Sequence, residues 1–156
     1  MDLKEKYGLS MDIYEISELG NLYAMKTMAN NNVPCDYGTG EMYTSVEAHT
    51  ITNIYLNPGI TAKEISEKTA RTQSAVSQIV SKLSLKGLLK TEKDSEDNRR
   101  TCLYVTEKGE ELAKAHIAYD ERAIGKAIET LIEKMGTDAM ENFIQIFSYM
   151  TNDKGW

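Results

Sequence analysis

The chain is poor in the residues that most catalytic and covalent chemistries need. In 156 residues it has two cysteines, two histidines and a single tryptophan. Cys35 and Cys102 fall in different segments without CxxC spacing, which excludes a disulfide framework and a thiolate zinc module and leaves a reduced cytoplasmic protein as the simplest expectation. No glycine-rich phosphate loop and no nucleophile motif is present, so no catalytic set assembles from sequence. An enzyme would have to use His49 and His116 as an acid–base pair. No run of about 18 apolar residues occurs, and the opening "MDLKEKYGLS" carries acids without an apolar core, so neither membrane spanning nor export is expected.

A surplus of positive charge is missing as well. The net charge of −6 speaks against wholesale coating of nucleic acid, and 41% hydrophobic with 27% charged residues fits one globular domain with a core of its own. The charge is uneven, however. Between Thr61 and Thr101 nine lysines and arginines face six acids, a local excess of cations in an acidic chain.

Helical periodicity dominates what is there. Ile13, Ile16, Leu19, Leu22, Tyr23 and Met25 recur at spacings of three and four, predicting a helix that ends at the polar linker "NNNVPCDYGTG". "SVEAHTITNIYLN" predicts a second helix, stopped by Pro58-Gly59. Thr61 followed by Glu64 is a capping-box spacing and opens a short third helix. "TQSAVSQIVSKLSLKG" predicts a fourth, with Ala75, Val76, Ile79, Val80 and Leu83 inward and Gly87 supplying the left-handed residue that ends it. "LLKTEK" and "TCLYV" alternate as a strand pair around a loop bearing Arg99 and Arg100. Beyond Thr106, Ile124, Ile128, Leu131 and Met135 stripe a long helix. Thr137 starts a last one with Met140, Phe143, Ile144 and Phe147 inward. Gly125 within the long helix costs about 1 kcal/mol relative to alanine, which suggests a kink or a close helix contact.

Two helices joined by a tight turn and followed by a hairpin form a winged helix-turn-helix. The expected architecture is mainly α with a small β-hairpin wing. Residues 10–43 form an N-terminal helix and linker, 44–105 the winged core, and 106–156 the C-terminal helices. In such a core the second helix of the motif enters the major groove, where small polar and amide side chains reach base edges and phosphates. Thr72, Gln73, Ser74, Ser77, Gln78, Ser81 and Lys82 have that character. An arginine at the hairpin tip suits the adjacent minor groove, so Arg99 and Arg100 complete the candidate set, with Asp97 placed to accept a guanidinium hydrogen bond and hold Arg99 in one rotamer. A charged hairpin tip or a polar helix face alone is usually plain solvated surface. Capped helix, turn, polar face, strand pair and basic window together point to double-stranded DNA. A winged helix that binds protein and never touches DNA is the alternative.

The stretch "NPGITAKEISEKTARTQSAVSQIVSKLSLKGLLKTEKDSEDNRRTCLYVTEKGEEL", residues 57–112, resembles the core of the MarR family of bacterial transcriptional regulators. The likeness rests on "PGITAKEIS", "SAVSQIVSKL", "KGLL", Asp97-x-Arg99 and "VTEKG". It implies a homodimer with intertwined terminal helices, bound to a palindromic operator and usually released by a ligand; a repressor is the expectation for this chain. Asn98 and Ser95 depart from the arginine and proline common there, implying a less basic and less rigid wing. Dimerisation also follows from the apolar faces of the terminal helices, including Ile16, Leu19, Tyr23, Phe143, Ile144 and Phe147, which a small winged core cannot cover alone. The terminal helices packing on each other within one chain is the other reading.

For the signal, no cofactor is certain, and a divalent metal or a small organic effector are the candidates. His49 lies on the second helix, and His116 and Asp120, at i and i+4, share a face of the long one, spacings that let imidazole and carboxylate converge on one ion. Cys35 and Glu41 could complete such a site. Zinc-sensing members of the resembled family draw ligands from these regions, typically with histidine where Asp120 stands. Two histidines hydrogen-bonding across a helix interface is the plainer reading. A thiol switch at Cys35 is disfavoured by its neighbour Asp36. Tyr37, Tyr43, Met42, Met25 and Met28 could line an adaptable pocket, or be ordinary core.

Overall fold

The computed structural model describes residues 3–30, 33–94, 97 and 99–151. The side chains of Ile13, Tyr23 and Met28, and all of Ser95 and Asn98, lie outside the described residues. The elements in chain order are α1 (Leu3–Tyr7), α2 (Ile13–Asn30), β1 (Cys35–Asp36), β2 (Met42–Tyr43), α3 (Ser45–Leu56), α4 (Ala62–Thr69), α5 (Gln73–Leu85), β3 (Leu89–Lys93), β4 (Thr101–Val105), α6 (Glu107–Met135) and α7 (Thr137–Thr151). The architecture is mostly helical with a small antiparallel hairpin, as the periodicity predicts.

Helix starts are written into the sequence by side chains that satisfy free backbone N–H groups. Before α2, the Glu15 carboxylate accepts from the Asp12 N–H and the Asp12 carboxylate from the Glu15 N–H, both at 2.9 Å. Thr44–Glu47 and Thr61–Glu64 form reciprocal capping boxes at α3 and α4. Thr72 and Thr106 cap α5 and α6 through their hydroxyls. Thr106 also donates its hydroxyl to the Gly87 carbonyl at 2.7 Å, tying the start of α6 to the end of α5.

The core belongs to the winged helix. Ile51 and Ile54 of α3, Ile65 of α4, Val76 and Leu83 of α5, Leu88, Leu103 of β4 and Leu112 of α6 are all buried. Between α4 and α5 the chain turns through Ala70 in the left-handed region (φ 49°), and Gly87 ends α5 with φ 70°. The hairpin pairs Leu89 with Val105 through Lys93 with Thr101. The turn before α4 joins its edge, with the Gly59 N–H donating to Leu103 O at 2.9 Å and the Leu103 N–H to Ile60 O at 3.0 Å. The "VTEKG" motif acquires a packing reason here: a Cβ at position 109 would collide with the Leu88 carbonyl oxygen.

Several expectations change. The polar linker is not featureless: Cys35 pairs with Tyr43 and Asp36 with Met42, closed by an Asp36 carboxylate that accepts from the N–H groups of Gly38, Thr39 and Gly40. The residues expected inward on α7 are not buried within this chain. Phe143, Ile144 and Phe147 are exposed, as are Ile16 and Leu19 of α2 and Ile124, Ile128, Leu131 and Met135 of α6. A Cβ at Gly125 would meet nothing within 4 Å among the described residues, so of the expected kink or close helix contact the close contact is not made by them.

One charged residue is buried beneath α5. Glu47 is 3% exposed, and besides its capping box its carboxylate accepts from Lys86 at 2.7 Å and pairs with Lys82 at 3.1 Å. Burial pushes its carboxyl up, but the hydrogen bonds from Lys86, Thr44 and Lys82 outweigh that and hold it at about 2, well below its ordinary 4.5. A depressed folded-state value adds stability that is present above pH 4.5 and lost as pH falls through about 2. Glu47→Ala is therefore expected to cost about 3 kcal/mol at neutral pH. In denaturant titrations the deficit should shrink between pH 4.5 and pH 2. A deficit unchanged over that window would show that packing, not charge, is what Glu47 supplies.

Candidate nucleic-acid interface and an adjoining ligand set

On α5 the apolar spacing that buries Val76 and Leu83 turns Gln73, Ser74, Ser77, Gln78, Ser81 and Lys82 outward, and all six are exposed. Thr72 is exposed too, but its hydroxyl accepts the Ala75 N–H, so its role in the free chain is to start the helix. Lys82 leaves 59% of its side chain accessible while its ammonium rests on Glu47.

The wing differs from the expectation in one respect. Asp97 does not hold the Arg99 guanidinium; its carboxylate accepts the Arg99 backbone N–H at 2.9 Å. A carboxylate two residues ahead reaches that N–H with less strain than the end of a long side chain, so Asp97 shapes the loop rather than the rotamer. The Asp97 carbonyl accepts the Arg100 N–H at 2.8 Å, and Asp94 N–H donates to the Arg100 carbonyl at 3.1 Å. Arg99 is exposed, and no ion pair among the described residues engages it. Arg100 is engaged instead. Its guanidinium meets Glu64 at 3.1 Å and Asp94 at 3.9 Å, so in the free chain it faces protein. A trench of about 650 Å³ runs between wing and helix-turn-helix, lined by Thr61, Lys63, Glu64, Gln73, Arg99 and Arg100 among others.

The second cluster lies where α3 meets α6. One donor atom each from His49, His116 and Asp120 falls within 4.8 Å of the others. His116 is 2% exposed, its Nδ1 lies 3.1 Å from Thr52 Oγ1, and its Nε2 lies 3.5 Å from Asp120. The His49 and His116 rings meet edge to face, with centroids 4.5 Å apart. Burial lowers the His116 pKa, Asp120 opposes this, and His49 adds to it, with lowering the net result. A neutral imidazole with one nitrogen oriented by a hydroxyl is the form that binds a metal. Both sequence-derived additions fall away from this set. Glu41 pairs with Lys108 at 2.9 Å and accepts from the Tyr43 hydroxyl at 2.6 Å. Cys35 shares a cavity of about 310 Å³ with His116 and Asp120 but is not one of the three converging donors. Of the Tyr/Met pocket, Tyr37 and Tyr43 are core and Met25 and Met42 are exposed, while the Met28 side chain lies outside the described residues.

Sequence reasoning missed Glu47, Thr52 and the second role of Glu64. The spacing of Thr44 and Glu47 was a readable cap signal. Which lysines meet that carboxylate from 35 and 39 residues away is a tertiary fact.

Residues 43–100 match the sequence profile of the MarR family. The transcriptional regulator HosA of Escherichia coli O157:H7 is 26% identical over 96 residues, 61% of this chain and 67% of HosA. Lactococcus lactis ZitR, solved in complex with DNA, is similar over 91% of this chain and 97% of its own, with a TM-score of 0.67 and 22% identity. Streptococcus pneumoniae FabT, also solved with DNA, covers 88% and 94%, with a TM-score of 0.60 and 21% identity. ZitR is described as a zinc-responsive MarR family member. At these identities the structural likeness speaks for the fold.

Proposed function

We propose, from the premise that this chain belongs to the MarR family of transcriptional regulators, that it is a repressor that binds a palindromic operator as a homodimer. It is a regulator and not an enzyme, as are the family and the relatives it matches. The observation that carries the DNA reading is the exposed Gln/Ser face of α5 beside a wing whose Arg99 is unpaired among the described residues. In this reading Gln73, Ser74, Ser77 and Gln78 meet base edges, Thr72 and Ser81 border them, and Lys82 meets phosphate. Arg99 enters the minor groove, where its charge is strongly attracted. The apolar faces left open on α2, α6 and α7 support a second copy as their cover. A cytoplasmic setting follows from a DNA partner; among the described residues no helix is long and apolar enough to cross a membrane.

Ligand control is the second part of the reading, and the donor set favours a divalent metal over an organic effector. His49, His116 and Asp120 suit zinc in number and type, and Thr52 would orient His116 from behind. A bound ion would supply a fixed link between α3 and α6.

Two experiments test this. Gln78→Ala is expected to relax preference at one operator position at a cost of about 1–3 kcal/mol. Lys82→Ala should weaken all duplexes alike and lower the salt slope by about one unit. An unchanged selected sequence for Gln78→Ala would reject this orientation of α5. In calorimetry, zinc should bind the wild type, and His116→Ala should weaken it by about tenfold or more. Zinc and operator should change each other's affinity by the same factor. Zinc binding indifferent to His116→Ala would eliminate the site and leave an organic effector.

A further inference from the structure

The wing is held at its base by backbone hydrogen bonds to the turn before α4, between Gly59, Ile60 and Leu103. Its tip is held differently. Glu64 Oε2 closes the capping box of α4, accepting from the Thr61 N–H at 2.7 Å and the Thr61 hydroxyl at 2.8 Å. That fixes the carboxylate and leaves Oε1 directed at the Arg100 guanidinium, 3.1 Å away. Arg100 is itself fixed by its own N–H and C=O within the loop, donating to Asp97 and accepting from Asp94. One carboxylate therefore closes a helix start with one oxygen and grips a hairpin tip 36 residues later with the other.

We propose that Arg100 and Glu64 are positioning residues: their ion pair sets the distance between wing tip and reading helix, and Arg100 does not itself contact DNA. This rests on the DNA reading above. Arg99 and Arg100 sit in the turn that the Arg100 N–H closes onto the Asp97 carbonyl; Arg100 is drawn onto Glu64 of α4, while Arg99 stays exposed with no ion pair among the described residues. Both partners are about half exposed, so the pair adds little to global stability, and variants that lack it remain folded. Its effect is to remove freedom from a short loop that must present one arginine at a fixed place, and the width of the trench lined by Glu64, Gln73 and Arg99 depends on it.

Charge counting and positioning predict opposite signs. If charge alone matters, Glu64→Gln, which removes a negative group beside the trench, tightens DNA binding. If Arg100 contacts phosphate, Arg100→Ala lowers the salt slope by about one unit. The positioning role requires instead that both variants weaken binding, each by roughly three- to tenfold, and that the double variant is no weaker than either alone. Glutamine still serves the capping box, but with its oxygen on the Thr61 N–H it turns an amide donor toward the Arg100 donors. The salt slope should stay at its wild-type value in Arg100→Ala.

The test uses the full chain and the duplex that the wild type selects from a random library. Affinities are measured at several salt concentrations for wild type, Glu64→Gln, Arg100→Ala and the double variant. Amide hydrogen exchange at residues 99 and 100 is followed in the free proteins, with thermal melting as the check on folding. Equal, non-additive losses at constant slope, with faster exchange at those amides in both single variants, are the expected result. Tighter binding by Glu64→Gln, additive losses, a slope reduced in Arg100→Ala, or unchanged exchange would each overturn the proposal. A wild type that selects no duplex would overturn the DNA reading and this inference with it, an outcome distinct from the others.

Discussion

A buried carboxylate under α5 is the constraint on which the rest of the molecule turns. Glu47 closes the start of α3 and takes two lysines of α5, Lys82 and Lys86, so the orientation of α5 is referred to α3. An isolated charge in that place would be costly, and hydrogen bonds from both sides make it stable. Each lysine keeps part of its length in solvent, and the ammonium of Lys82 sits between a carboxylate of its own chain and the surface where, in the proposed complex, a phosphate would lie. Lys86 does a further job, its ammonium lying 4.8 Å from the centre of the Tyr43 ring and so fixing the strand pair that precedes α3.

Helix α3 is consequently held on two sides. Toward α5 it offers Glu47, and toward α6 it offers His49 and Thr52, both in contact with His116. A ligand that drew His49, His116 and Asp120 together would act on the helix against which α5 is held. The wing repeats the device on a smaller scale, with Glu64 serving a helix cap and a hairpin tip at once. In both places a capping-box glutamate, which a helix needs anyway, uses its spare oxygen for a tertiary contact.

Much of this was legible in the sequence because local chemistry and long-range pattern agree. The capping box at Thr61–Glu64, the turn before Gln73, the end of α5 at Gly87 and the hairpin strands all stand where spacing and turn residues place them. The polar face of α5 followed from the inward placement of Val76 and Leu83. What was not legible depends on side chains meeting across the fold. The partner of Asp97 is a backbone N–H rather than a guanidinium, and Arg100 meets a glutamate 36 positions away. Glu41, close in sequence to the histidine-bearing helix, is drawn off by Lys108. The inward face expected of α7 was read correctly as apolar, but among the described residues Phe143, Ile144 and Phe147 are left exposed.

In the proposed complex two copies of this chain, joined through those apolar faces, present two α5 helices to successive turns of one duplex. Selection of bound sequences from random duplex DNA tests it most directly. The expected result is an inverted repeat whose half-site centres lie about 10 base pairs, one helical turn, apart. Enrichment of an isolated half-site, or no enrichment above the starting library, would contradict it.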